Sequence, residues 1–292
     1  MNIKNALKSA QEQIPNSSSP LLDCQILLGK ILNKDKIFFL IHNDFELSPE
    51  QENDFFDLIK KRSKGLPVAY LTGTKEFFGR DFIVSPDVLI PKPDTETLVE
   101  LALNYADGAI CSNPNADFFI ADICCGSGCI GISLVAELLQ KHPAAKLHLD
   151  FVDISPAALK IAIQNKEKLL PQYEQCNFFT GDLTAPLIER GLKYNLIVSN
   201  PPYVPSITTD KLLSDGRNEP RLALDGGADG IDLIKNLVSK LQFCLKKDSP
   251  VFIESGEYNA AQTAELLKQA AFSKVKTHLD LAKMPRVTSA YF

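Results

Sequence analysis

The segment that decides the fold reads Leu196-Ile197-Val198-Ser199-Asn200-Pro201-Pro202-Tyr203. Its first four residues predict a short buried strand, which two prolines cannot continue. An asparagine is therefore left at the carboxyl end of the strand, where open α/β sheets bind ligands. The Asn200 amide, the Pro201 carbonyl and the Tyr203 ring suit a flat substrate that carries an NH2 group. Asn-Pro is also an ordinary turn dipeptide, so the tetrapeptide by itself leaves a structural role open.

A second candidate site lies upstream, at Asp122-Ile123-Cys124-Cys125-Gly126-Ser127-Gly128. An apolar run precedes it and a helical pattern follows, so the site is a strand-to-helix turn. Small residues there let a ligand approach the backbone, and the helix amino terminus offers unpaired N–H groups. The turn therefore predicts a nucleotide-binding site. Because Gly126, Gly128 and Gly131 also spell G-x-G-x-x-G, a dinucleotide site with hydride transfer is an alternative.

Two acidic residues follow later predicted strands. Asp153 ends the strand from 147 to 153, where a carboxylate can accept both hydroxyl groups of a ribose. Ser155 already caps the next helix, so Asp153 is not needed for that purpose. Asp182 follows the strand from 177 to 180 and could accept a hydrogen bond from an adenine amino group, with Leu183 packed on the ring. A Gly-Asp turn is also commonly structural.

The charge and cysteine content narrow the class of protein. With 31 basic and 36 acidic residues the net charge is −5, which disfavours a large nonspecific nucleic-acid footprint. Early charges at Lys4 and Lys8 and the lack of a long apolar run predict a cytoplasmic protein without a membrane segment. Seven cysteines without paired C-x-x-C spacing favour neither a metal site nor disulfides. Cys124, Cys125 and Cys129 are interpreted as small apolar residues that fill a tight turn.

The order of these motifs resembles the class I S-adenosylmethionine-dependent methyltransferases that modify amino or amide nitrogens. Two further segments resemble the bacterial release factor glutamine methyltransferases, namely Leu89-Ile90-Pro91-Lys92-Pro93-Asp94-Thr95-Glu96 and Glu219-Pro220-Arg221-Leu222-Ala223-Leu224-Asp225-Gly226-Gly227-Ala228-Asp229-Gly230. The resemblance implies S-adenosyl-L-methionine as cofactor. It implies methylation of the side-chain nitrogen N5 of the glutamine in the Gly-Gly-Gln motif of peptide-chain release factors, the expected protein partners.

The resemblance also assigns roles to residues. It places the cofactor against the turn Cys124, Cys125, Gly126, Ser127 and Gly128, the ribose at Asp153 and the adenine at Leu183. Asp122, Asp182 and Asn200 complete the predicted cofactor-binding set. The substrate amide falls to Asn200, Pro201, Pro202 and Tyr203, of which Asn200, Pro201 and Tyr203 are the predicted catalytic residues.

The predicted chemistry needs no general base. A carboxamide nitrogen is a poor nucleophile because its lone pair is delocalised into the carbonyl. If the Asn200 side-chain oxygen and the Pro201 carbonyl accept its two N–H bonds, the lone pair is steered toward the methyl donor while Tyr203 holds the amide plane. The four histidines are scattered along the chain, and no catalytic role is assigned to them.

The fold predicted from the resemblance and from the alternation of strands and helices after Pro91 is α/β. It is a Rossmann-like class I methyltransferase sheet with an antiparallel terminal strand, preceded by a small helical N-terminal domain. Residues 1–67 are predicted as a helical substrate-recognition domain, 68–90 as a β-hairpin linker and 91–292 as the methyltransferase domain. Residues 206–227 are expected to form an irregular loop that contacts the substrate protein.

Two departures from the family pattern stand out. Cys124 and Cys125 replace the usual Gly and Thr, and Lys283-Met284-Pro285 replaces a segment that commonly carries Gly and charged residues. A side chain at position 124 narrows the space beside the cofactor. A nonenzymatic adaptor that keeps a relic pocket is therefore one alternative. The others are a methyltransferase of exocyclic amines in RNA or DNA, in which Asn-Pro-Pro-Tyr also occurs, and one that modifies a ribosomal protein glutamine.

Overall fold

The computed structural model describes residues 1–214 and 218–292. The helices are α1 Ile3–Gln13, α2 Pro20–Leu32, α3 Lys36–Ile41, α4 Pro49–Ser63, α5 Val68–Thr72, α6 Glu96–Ser112, α7 Cys129–Lys141, α8 Pro156–Leu169, α9 Ala185–Arg190, α10 Ser206–Ser214, α11 Asp232–Lys240 and α12 Ala260–Gln269. The strands are β1 Thr74–Phe77, β2 Arg80–Ile83, β3 Asp117–Ile123, β4 Lys146–Asp153, β5 Cys176–Thr180, β6 Leu196–Ser199, β7 Pro250–Glu254, β8 Ser273–Leu279 and β9 Pro285–Tyr291. Short 3₁₀ turns occupy Pro93–Thr95, Arg221–Ala223 and Leu241–Phe243.

The chain divides into two compact units. One contains Met1–Thr74 with Lys211–Asn218, and the other contains Lys75–Asp210 with Glu219–Phe292. In the first unit, helices α1, α2 and α4 bury a core that includes Leu27 and Phe55. Helix α4 begins as its sequence predicts, because the Ser48 hydroxyl accepts from the Gln51 N–H while the Gln51 side chain accepts from the Ser48 N–H.

The second unit is built on a seven-stranded sheet in the order β5-β4-β3-β6-β7-β9-β8. Strands β5, β4, β3, β6 and β7 pair in parallel, whereas β9 runs antiparallel to β7 and β8. Neighbouring residues of β3 belong to different apolar clusters, Ile120 to one and Ala121 to the other, so both faces of the sheet are buried. The predicted α/β sheet with an antiparallel terminal strand is thus confirmed.

Two segments differ from the sequence-based expectation. Residues 68–90 begin with helix α5, which ends at Gly73 in the left-handed region, so the hairpin is confined to β1 and β2. The segment 206–227 is not wholly irregular, because helix α10 opens it and the turn Arg221–Ala223 lies near its end. Positions 215–217 of that predicted loop lie outside the described residues. Among the described residues, no helix has both the length and the apolar character that crossing a membrane requires.

The register of the sheet positions the candidate site. Ile123 pairs with Val152 of β4 and with Ser199 of β6. Because the three strands are parallel, the residues that follow these pairs emerge at one edge of the sheet. Because β3 lies between β4 and β6, Asp153 and Asn200 lie at that edge on either side of the turn after β3.

Candidate functional site

A cavity of about 260 Å³ opens at this edge of the sheet. Nine of the sequence-predicted site residues line it: Cys124, Cys125, Gly126, Ser127, Asp153, Asp182, Leu183, Asn200 and Pro202. The structure therefore brings the candidate cofactor turn and the Asn-Pro-Pro-Tyr segment to one cavity. Four predicted residues, Asp122, Gly128, Pro201 and Tyr203, do not line it.

The turn after β3 winds tightly against the end of β4. The Cys125 N–H donates to the Val152 carbonyl at 3.1 Å, and the Gly126 N–H donates to the Asp153 carboxylate at 2.8 Å. Cys124 adopts a φ of +59°, the left-handed region that L-residues other than Asn and Asp rarely enter. Cys124, which stands where the family pattern has glycine, therefore carries a backbone cost as well as a side chain beside the cavity.

Asp122 lies behind the turn rather than in it. Its side chain is fully buried, and one oxygen accepts from the Gly131 N–H at 2.9 Å near the start of α7. The other oxygen has no hydrogen-bond partner. Burial raises the pKa of Asp122 to about 7. The structure thus gives this acid a contact to the helix that follows the turn.

Asp153 faces the cavity with a carboxylate that is already oriented. One oxygen accepts from the Gly126 N–H and the other from the Ser155 N–H at 2.9 Å. A carboxylate offers about four acceptor positions, so both oxygens keep capacity for a ligand hydroxyl. Burial raises the pKa of Asp153, and the two backbone hydrogen bonds oppose that rise.

Two side chains outside the Asn-Pro-Pro-Tyr segment hold it through the backbone carbonyl of Tyr203. The Tyr203 carbonyl accepts from the Asn259 amide at 3.0 Å and from the Tyr258 hydroxyl at 3.2 Å. Gly230 lies so close that a Cβ there would be 2.2 Å from this carbonyl oxygen, and its φ is +71°. Only glycine fits such an approach. Gly230, the last residue of the segment 219–230, therefore packs directly on the candidate substrate site.

Two side chains of this segment point to partners that the sequence analysis did not assign. The Asn200 amide nitrogen donates to the Thr95 hydroxyl at 3.3 Å, and the Tyr203 hydroxyl donates to Glu254 at 3.1 Å. Glu254 ends β7 and is 1% exposed. Burial raises its pKa to about 7, against the hydrogen bond from Thr95 and the charge of Arg286. Its position after the apolar run Val251–Ile253 is the signal that could have identified it.

Lys92 and Glu219 form an ion pair beside the cavity. The Lys92 ammonium lies 2.7 Å from the Glu219 carboxylate, which is buried and also accepts from the Ile90 N–H. Among the described residues that line the cavity, Lys92 is the only one with a cationic side chain. The ion pair joins the two segments that carry the narrower family resemblance.

Burial raises the pKa of Cys129 to about 12 and raises the pKa values of Cys124 and Cys125, so the three are thiols rather than thiolates at neutral pH. Within the described part of the chain, the one cluster with metal-ligand character combines Asp107, Cys111 and His142. Asp107 there already pairs with His142 at 2.7 Å and with Lys141.

Arg286 connects the terminal hairpin to the site. Its guanidinium lies 3.1 Å from Asp280 and 3.2 Å from Asp94, and its charge acts on Tyr203 and Glu254. Asp280 also accepts from the Met284 N–H and so fixes the turn between β8 and β9. The divergent segment Lys283-Met284-Pro285 thus runs from this turn into the first residue of β9, and the next residue, Arg286, reaches the candidate site.

Comparison with known proteins adds independent findings. A family model described as the PrmC N-terminal domain matches residues 5–73, and one described as the methyltransferase small domain matches residues 111–215. The chain is 35% identical to the release factor glutamine methyltransferase of Clostridium acetobutylicum over 293 residues, 99% of this chain and 98% of that protein. It is 35% identical to the protein of the same name from Moorella thermoacetica over 294 residues, 100% of this chain and 99% of that protein.

A solved structure gives a likeness of fold. The N-terminal domain of human METTL16 in complex with SAH aligns with a TM-score of 0.50 at 17% identity, covering 74% of this chain and 76% of that one. At so low an identity, the likeness supports the fold alone.

Proposed function

This chain belongs to the family of release factor glutamine methyltransferases, and we propose that it methylates N5 of the glutamine in the Gly-Gly-Gln motif of peptide-chain release factors. The methyl donor in this proposal is S-adenosyl-L-methionine, which makes the enzyme a protein-(glutamine-N5) methyltransferase. The observation that carries the proposal is the Asn-Pro-Pro-Tyr segment at the end of β6, from which Asn200 and Pro202 line the cavity. Since release factors act on cytoplasmic ribosomes, the proposal also locates the enzyme in the cytoplasm.

The chemistry of the cavity fits the proposed donor. Asp153 would accept the ribose hydroxyls, and Leu183 with Asp182 would pack on and bind the adenine. The turn Cys124–Gly128 offers close backbone approach. Lys92, the one cation among the described lining residues, would pair with the carboxylate of the methionine part. When bound, the donor supplies a methyl group on a positively charged sulfonium.

The residues of the chain have a positioning task in the proposed reaction. The Asn200 side-chain oxygen and the Pro201 carbonyl accept the two N–H bonds of the glutamine amide, and the Tyr203 ring holds the amide plane. These acceptors direct the nitrogen lone pair rather than remove a proton. The proton that the methylated nitrogen loses passes to water or to the same acceptors. No histidine takes part in this scheme.

We propose the N-terminal helices as the part that recognises the release factor. Support comes from the exposed apolar side chains on α2 and α3, namely Leu21, Leu22, Ile26, Ile37, Leu40 and Ile41. Large apolar side chains that stay exposed on consecutive helices are typical of a surface that binds another protein. A short peptide with the Gly-Gly-Gln sequence would lack contacts to this surface, so we expect a higher KM for the peptide than for the intact release factor.

The experiment that tests the function uses purified enzyme, S-adenosyl-L-methionine and an unmodified release factor, followed by mass spectrometry of the peptide that carries the Gly-Gly-Gln motif. We expect one added methyl group on that glutamine. A release factor with Asn in place of this Gln is the matched substrate control and should remain unmodified. Methyl transfer to RNA or DNA instead, with binding that weakens steeply with salt, would favour the nucleic-acid alternative. Absence of donor binding in calorimetry would favour the adaptor.

The role of Asn200 is tested by Asn200→Ala. Because an acceptor used in the transition state is lost, we expect turnover to fall by about 100-fold or more. The affinity for S-adenosyl-L-methionine should stay nearly unchanged. The matched control is Asn236→Ala, which removes an exposed amide on α11 and should leave both quantities unaltered. An equal loss of turnover and donor affinity in Asn200→Ala would contradict the assigned role.

A further inference from the structure

The side-chain amide of Asn200 has an oxygen that accepts hydrogen bonds and an NH2 group that donates them, and only the oxygen can serve the proposed reaction. The substrate amide presents N–H donors, so Asn200 must offer its oxygen to the substrate and turn its NH2 group elsewhere. In the structure that NH2 group donates to the Thr95 hydroxyl at 3.3 Å. Thr95 is 2% exposed and ends the turn Pro93–Thr95, which brings it to the cavity wall.

The surroundings of the Thr95 hydroxyl bear on which way its proton points. A hydroxyl has one proton to donate and two lone pairs that accept. Thr95 lies beside the Glu254 carboxyl and lowers its pKa as a hydroxyl donor would. One oxygen of that carboxyl accepts from the Tyr203 hydroxyl at 3.1 Å, and the other oxygen is buried without a hydrogen-bond partner. The charged groups around this carboxyl are Arg286 and Asp94. If the Thr95 proton turns toward this unpartnered Glu254 oxygen, the Thr95 oxygen accepts, as it does from the Asn200 NH2 group at 3.3 Å.

We infer that Thr95, backed by Glu254, is a positioning residue that holds the Asn200 carboxamide with its oxygen free for the substrate nitrogen. The inference rests on the proposed function and assigns a role to residues outside the Asn-Pro-Pro-Tyr segment. Glu254 acts at two points, because the same carboxyl orients the Thr95 hydroxyl and holds the Tyr203 ring through its hydroxyl. The three groups come from three different parts of the chain.

The reverse orientation of the amide would be unproductive. If Asn200 turned its NH2 group toward the substrate, two sets of N–H donors would face each other. The substrate N–H would then lack the acceptor that orients the nitrogen lone pair toward the methyl donor. Without the Thr95 hydroxyl, nothing among the contacts of Asn200 in the described structure distinguishes the two orientations. The hydroxyl therefore selects one of two states that differ by the exchange of an oxygen and a nitrogen.

The test compares two substitutions of similar size. Thr95→Val replaces the hydroxyl with a methyl group, whereas Thr95→Ser keeps the hydroxyl and removes a methyl group. We expect Thr95→Val to lower kcat for methylation of the release factor about tenfold, the effect of losing one hydrogen bond in the transition state. The dissociation constant for S-adenosyl-L-methionine should change less than twofold, and Thr95→Ser should retain kcat within about threefold of the wild type.

A second readout is independent of activity. In NMR spectra of ¹⁵N-labelled protein, the side-chain NH2 signals of Asn200 are identified by their absence in Asn200→Ala. We expect slow hydrogen exchange for these protons in the wild type and in Thr95→Ser, and fast exchange in Thr95→Val. Loss of kcat in both threonine variants alike, or unchanged exchange in Thr95→Val, would overturn the inference. An inactive wild type with the expected exchange pattern would refute the proposed function and leave the orientation of Asn200 supported.

Discussion

The departure at position 124 yields a prediction about stability. Cys124 has a φ of +59°, whereas the neighbouring Cys125 has no positive φ and is 4% exposed. A Cβ in the left-handed region costs roughly 1–2 kcal/mol, a cost that glycine does not carry. At positions with negative φ, alanine is instead the more stabilising of the two residues, by about 0.5–1 kcal/mol relative to glycine. The two adjacent cysteines should therefore respond in opposite ways.

The comparison needs four variants: Cys124→Ala, Cys124→Gly, Cys125→Ala and Cys125→Gly. The Ala and Gly variants at each position both lack the sulfur and differ only in the Cβ, so the difference within each pair reports the effect of a Cβ on the backbone at that position. At position 124 we expect the Gly variant to be more stable than the Ala variant by about 1 kcal/mol, the strain cost less the greater freedom of glycine in the unfolded chain. At position 125 the Ala variant should be the more stable.

Urea unfolding followed by circular dichroism measures these differences, and a change of 1 kcal/mol also corresponds to a Tm shift of roughly 2–4 °C for a domain of 150–250 residues. Alanine above glycine at both positions would refute the strain argument. Glycine above alanine at both would refute the assignment of the strain to Cys124 alone. Only a reversal between the neighbours supports the reasoning.

The remaining predictions concern packing and pH. In Gly131→Ala a Cβ would lie 2.8 Å from a Phe151 ring carbon, so we expect a loss of about 1–3 kcal/mol in urea unfolding, whereas Gly108→Ala, with nothing within 4 Å, should gain up to about 1 kcal/mol. Burial raises the pKa of Glu254 from 4.5 to about 7. Between these two pH values, Glu254 is protonated in the folded state and ionised in the unfolded state. The unfolding free energy should therefore fall as pH rises from 4.5 to 7, by about 3 kcal/mol at 1.36 kcal/mol per pKa unit. Glu254→Gln should remove this part of the decline, while that from Asp122 remains; an unchanged difference between pH 5 and pH 8 would contradict the assignment.

Strands of the second unit were predictable because burial on both faces leaves a continuous apolar run. Strand β6 has the predicted bounds Leu196–Ser199, since prolines end the run, and β4 and β5 each begin one residue before the predicted start. Helices α5 and α10 were not predicted. The first is a single turn rich in β-branched and aromatic residues, and the second opens with Ser206 in a polar segment that is typical of a loop.

The site was predictable where function follows directly from the end of a strand. Asp153 and Asn200 were identified by that rule, and both line the cavity. Glu254 satisfies the same rule at the end of β7, but its partners are Tyr203 and Thr95, which are distant in sequence. Thr95 precedes a helix rather than following a strand, so no periodic pattern selects it. The contacts of Glu254 with Thr95 and Tyr203 depend on the order of the strands in the sheet, which cannot be read from the sequence.

The arrangement of the buried acids explains why the proposed reaction depends on acceptors rather than on a base. Asp122 accepts from the Gly131 N–H, and Glu254 accepts from the Tyr203 hydroxyl. Neither acid lines the cavity, although burial raises the pKa of each to about 7, a value suited to a general base. Their raised pKa values follow from burial among apolar strands, and their oxygens orient other groups. A neutral amide gains little from a base before it reacts, whereas it gains from acceptors of fixed direction, and these acids help to fix the direction.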